Sequence, residues 1–103
     1  MSMLAEFSVV PVGTGVSISP QIAEVLRIVA ESGVNYKANP MGTVIEGDWD
    51  LVMAVIKKCH DVVMKNAERA LTTITIDDRK GKEERIEKKL ESVEQKLGMK
   101  LKK

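Results

Sequence analysis

The spacing of apolar residues switches between a period of two and a period of about 3.6 in a fixed order, and this order limits the possible folds more than any other feature. Met3, Ala5, Phe7 and Val9 alternate with Leu4, Glu6, Ser8 and Val10, which predicts a strand with one wholly apolar face and one mixed face. Pro11 is expected to end it. Ile22, Val25, Leu26 and Val29 then recur at helical spacing. Ser19 is the expected N-cap, Pro20 the first helical residue and Gly33 the stop. Asn35 to Ala38 and Thr43 to Glu46 read as two short strands joined by the turn Asn39-Pro40-Met41-Gly42.

Asp48 suits the cap of a second helix that buries Val52, Val55, Ile56, Cys59 and Val63. Leu71 to Ile76 reads as a fourth strand, and Asp77 to Gly81 as a charged turn. A third helix over about 82–98 carries the narrow stripe Ile86, Leu90, Val93 and Leu97, which suits docking on one surface or on a partner chain. The order is β-α-β-β-α-β plus a C-terminal helix. This predicts one α+β domain over 1–103, a ferredoxin-like sandwich with both main helices on one face of an antiparallel sheet. The other face is expected to lie open, presenting Leu4, Glu6, Ser8 and Val10. Leu71, Thr73 and Thr75 join it if the fourth strand faces the same way. An open face with this much apolar surface is expected to be covered by a second subunit.

Composition narrows the functions. Aromatics are 3% of the chain, so aliphatic and Met side chains must build the core. A net charge of +1 gives no global field for nucleic acid or anionic membrane. The basic tail Lys100, Lys102 and Lys103 is short and expected to be solvated. RNA-binding domains of this topology need aromatics on the open strands, and Glu6, Ser8 and threonines stand there instead. No segment is apolar enough to span a bilayer, and Met1–Val10 lacks a basic leader, so a cytoplasmic address is expected. One cysteine excludes an internal disulfide and a Cys-based metal site.

Catalytic residues and metal ligands are not expected. Cys59 and His60 are adjacent and point about 100° apart on a helix. Cys59 reads as a core thiol and His60 as a partly exposed helix residue. Gly13-Thr14-Gly15 lacks the lysine and spacing of a phosphate loop, yet its amides precede a helix and can meet a polar ligand. Glu46 is a lone acid within a β-branched run, and that makes it the carboxylate hardest to dismiss.

Two blocks carry a family resemblance: Glu6-Phe7-Ser8-Val9-Val10-Pro11-Val12-Gly13-Thr14-Gly15-Val16-Ser17 and Tyr36-Lys37-Ala38-Asn39-Pro40-Met41-Gly42-Thr43-Val44-Ile45-Glu46-Gly47. Both resemble the thiamine-binding protein family, which is related to the YkoF-type binders of thiamine and hydroxymethylpyrimidine. The resemblance covers nearly the whole chain. It implies a ferredoxin-like fold, dimers packed through their sheet faces and joined as tetramers, and non-catalytic binding of thiamine or hydroxymethylpyrimidine near a subunit interface. No cofactor is implied.

On that reading Glu46 accepts from the ligand's amino group or offsets the thiazolium. Ser8, Thr14, Ser17, Asn39 and Thr43 supply hydrogen bonds, Met41 covers the ring, and Tyr36 is the aromatic best placed to stack. Two alternatives stay open: a regulatory module sensing another metabolite, and a structural protein that recruits a partner through its third helix.

Overall fold

The computed structural model describes residues 2–81 and 85–103. Strand β1 (Met3–Val12) leads into helix α1 (Ser19–Glu31). The hairpin β2 (Asn35–Asn39) and β3 (Gly42–Gly47) follows, then α2 (Trp49–Met64), β4 (Arg69–Asp78) and α3 (Arg85–Leu97). The sheet runs β2-β3-β1-β4 and every neighbouring pair is antiparallel. This is the expected α+β, ferredoxin-like order with an added C-terminal helix.

Period-two alternation on β1 separates the two faces. Met3, Ala5, Phe7 and Val9 are almost wholly buried and meet Val25 and Val29 of α1 and Val52, Val55, Ile56, Cys59 and Val63 of α2. The buried set on α2 is the one its helical spacing predicts. Asp48 caps that helix, its Oδ1 accepting from the Leu51 N–H at 2.8 Å. Burial pushes the Cys59 thiol up to about 11, as an apolar site does to a group that would have to carry charge.

Local expectations differ from the structure at three places. β1 continues through Pro11 to Val12. Pairing with β3 ends at Phe7, so a missing N–H at Pro11 costs no ladder bond on that side. Ser19 is not the cap of α1: Ile22 N–H donates to the Ile18 carbonyl at 3.0 Å, so the helix begins one residue earlier and Ile18 caps it without a side-chain bond. Asp77 and Asp78 belong to β4 rather than to a turn, because they pair with Leu4 and Met3. Of the expected third helix, positions 82–84 lie outside the described residues, and α3 is described from Arg85.

The largest departure concerns the second face of the sheet. Directly opposed residues share a face, so Leu4, Glu6, Ser8 and Val10 lie beside Asp77, Thr75, Thr73 and Leu71 of β4. Glu46 and Val44 of β3, and Asn35 and Lys37 of β2, continue that face. It is not left open throughout. α3 packs across β3, β1 and β2, and Leu4 is consequently buried. The far half, with Val10 and Leu71, lies beyond α3 and stays exposed.

Candidate functional site

α3 is held to the sheet mainly by polar contacts. Glu46 is buried, and its two carboxylate oxygens accept from the Arg85 backbone N–H at 2.6 Å and from Asn35 Nδ2 at 3.1 Å. It thereby satisfies an amide at the start of α3 and places negative charge where the helix dipole favours it. The Arg85 guanidinium donates to the Asp77 carbonyl at 2.8 Å and pairs with the Asp77 carboxylate. Lys89 pairs with the same carboxylate at 2.9 Å. Lys89 first, then Arg85, hold the Asp77 carboxyl down to about 2.

The basic tail is not simply solvated. Glu94 accepts from Lys103 Nζ at 2.6 Å and from the Leu101 backbone N–H. Lys103 is also the main cause that lowers the Glu94 carboxyl below its ordinary range, with the Leu101 amide second. The last residues therefore fold back along α3.

Together these elements border a half-open cavity of about 660 Å³ on the sheet's second face. This is within the range of small-molecule sites. Its apolar walls are Leu4, Val44, Ile86 and Leu90. Its polar border includes Glu6, Thr75, Asp77, Lys37, Lys89 and Lys102. A second cavity of about 430 Å³ lies against Asn35, Tyr36 and Lys37 on one side and Ile86, Leu90 and Glu91 on the other. Ile86, Leu90 and Lys37 border both, so the two cavities flank the same turn of α3.

The residues expected from the sequence fall into separate places. Asn39 lines the larger cavity, Nδ2 reaching Glu6 at 3.4 Å while Oδ1 closes the turn by accepting from Met41 N–H at 2.8 Å. Glu46 does not line either cavity; both its oxygens are engaged, by Asn35 and by the backbone of Arg85, a lining residue. Tyr36 borders the smaller cavity, but by register its side chain shares the helix-side face with Ile45. Thr43 is buried on that same face, opposite Phe7 and across the sheet from the cavity. Ser8 lies on the second face, half-buried and beyond the part that α3 covers. Met41 is exposed at the hairpin tip, and Thr14 and Ser17 are exposed in the connection after β1. Of the eight, Asn39 alone lines the larger cavity; Glu46 stands at the other end of the hairpin, beside Asn35 and Arg85, and the other six lie elsewhere.

Sequence reasoning missed Lys37, Val44, Thr75, Leu90 and Lys102 as a group. A signal was present. Lys37 alternates in register with Asn35, which faces Glu46, and a helix stripe as narrow as Ile86/Leu90 needs one apolar strip such as Leu4/Val44 to sit on. Among the described residues, His60 is bonded outside this region, its Nδ1 2.6 Å from Thr72 Oγ1. No helix among them is long and apolar enough to cross a membrane.

Known proteins share this architecture. A UPF0045 protein of Methanocaldococcus jannaschii is 34% identical over 91 residues, covering 88% of this chain and 91% of its own. Its crystal structure superposes with a TM-score of 0.84. The UPF0045 protein YqgV of Bacillus subtilis is 37% identical over 100 residues, covering 91% of this chain and 96% of its own. A Thermotoga maritima protein proposed to act in thiamine biosynthesis or salvage shares the fold at 22% identity and a TM-score of 0.79, covering 90% of this chain and 99% of its own. The family model for thiamine-binding proteins matches residues 5–94. The chain belongs to the thiamine-binding protein family.

Proposed function

We propose that this protein binds thiamine or its hydroxymethylpyrimidine half, without catalysis, in the cavity between α3 and the sheet. The observation that carries this reading is the half-open cavity of about 660 Å³, with an apolar floor and a polar border, in a chain of this family. A flat aminopyrimidine suits it. Leu4, Val44 and Leu90 offer apolar contact to the ring, while Glu6, Asn39 and Thr75 offer acceptors and donors at the border. Glu46 acts behind the cavity by fixing the start of α3.

The bare half of the same sheet face, with Val10, Val12 and Leu71 exposed, supports self-association of subunits there. A dimer or tetramer then places the ligand close to the subunit boundary.

Calorimetric titration with thiamine and hydroxymethylpyrimidine tests the reading, using Thr75→Trp as the blocking variant. Thr75 is exposed on an edge strand, where an aromatic is well tolerated. Saturable binding in the parent protein, lost in Thr75→Trp at unchanged melting temperature, supports the site. Equal binding by both proteins places the ligand elsewhere.

A further inference from the structure

The charge around the cavity is unevenly matched. Among the described residues five cationic side chains line it, Lys37, Arg85, Lys89, Lys102 and Lys103, against the carboxylates Glu6 and Asp77. Most of this charge is placed there by specific contacts. Arg85 and Lys89 share the single carboxylate of Asp77, which leaves a positive surplus. Lys103 is matched by Glu94, and that contact carries the neighbouring Lys102 to the border of the cavity. Lys37 is the most telling of the five. It is half-buried on β2, borders both cavities and has no ion-pair partner among the described residues. A half-buried ammonium loses hydration, and a concave apolar wall focuses its field on whatever occupies the cavity.

A bare thiazolium is poorly matched to such a border, since its cation would lie among like charges. An anion on the same ring skeleton is well matched. Lysine ammonium groups are compact, strongly hydrated charges that bind phosphate oxygens from several directions.

Resting on the binding reading above, we infer that the preferred ligand is a phosphate ester of a flat aminopyrimidine-type ring. The ring lies on Leu4, Val44 and Leu90, and the phosphate meets Lys37 and Lys102. The folded-back tail is then part of the site, because the Glu94 contacts with Leu101 and Lys103 deliver Lys102 to it.

Calorimetry with five probes tests this: hydroxymethylpyrimidine, its monophosphate, thiamine, thiamine monophosphate and inorganic phosphate. The full chain is compared with Lys37→Gln and with Lys37→Gln/Lys102→Gln. Each ester is expected to bind at least about tenfold more tightly than its parent alcohol, the size of one charge-assisted hydrogen bond. That preference should shrink as salt is raised. Lys37→Gln should remove most of it, the ester losing clearly more affinity than its parent alcohol, and the double variant should remove the rest.

Parent alcohols that bind as tightly as their esters overturn the phosphate inference and leave ring binding standing. An equal loss for ester and alcohol in Lys37→Gln assigns Lys37 to ring packing and also overturns it. Inorganic phosphate binding as tightly as the esters removes the ring from the site and overturns it. Failure of all five probes overturns this inference and the binding reading together.

Discussion

α2 and α3 lie on opposite faces of one sheet and are held there by different forces. α2 buries Val52, Val55, Ile56, Cys59 and Val63 in the main core. The buried residues of α3 are Arg85 and Glu94, while Ile86 and Leu90 are only half-buried and Val93 and Leu97 are exposed. Apolar burial is insensitive to geometry and strong in sum. Ion pairs and buried acceptors depend on a few distances and on pH. The α2 face should therefore set global stability, and the α3 face should open by itself at lower cost. A helix of the second kind suits the wall of a site that must admit and release a ligand.

The largest expected effect lies on the α2 side. Phe7 is buried at 2% exposure and is the core's one aromatic side chain. Phe7→Ala should cost about 3–5 kcal/mol in urea unfolding, with all secondary structure lost in one transition. Gly42→Ala comes next. A Cβ there would stand 2.9 Å from the Phe7 carbonyl oxygen, where strand backbone cannot easily retreat. A loss of about 1–3 kcal/mol is expected, measured in the same way.

Glu46→Gln tests the α3 side. The amide offers one acceptor where the carboxylate offers two, so either Asn35 or the Arg85 N–H loses its partner. About 1–3 kcal/mol should be lost. Hydrogen exchange should show it first in α3 and the tail, with β1 and α2 protected as before. Uniform loss across the molecule would dissolve the contrast between the two faces.

Acid gives the smallest and most local effect. The Asp77 carboxyl is lowered from 3.8 to about 2 in the fold, by Lys89 and then Arg85. A lowered folded value means that the contribution is complete above the ordinary carboxylate range and is lost as pH falls toward about 2. Amides of α3 should lose protection between about pH 4 and 2, and Asp77→Asn should flatten that step.

The fold was legible in the sequence because period and punctuation agree along most of the chain. The apolar face of β1, the buried set of α2, Asp48 as cap and the Asn39–Gly42 turn all follow from local rules. Pro11 misled because its place on a half-unpaired stretch of β1 is a tertiary fact. The site was legible only in part. Glu46 stood out as an acid in a β-branched run, but its engagement by Asn35 and Arg85 depends on a residue of α3 that comes 39 positions later. Thr43 looked polar and available, yet strand parity turns it toward the helices. Lys37 and Lys102 are far apart in the chain, and nothing local shows that Glu94 draws the tail back toward β2.

The location of the ligand is tested most directly by amide chemical-shift mapping of the labelled protein during titration with hydroxymethylpyrimidine and its monophosphate. Saturable shifts centred on Lys37, Val44, Thr75 and Leu90 are expected, with the amides from Gly13 to Ser17 unmoved. Shifts centred on that connection, with β3 and α3 silent, would contradict this placement.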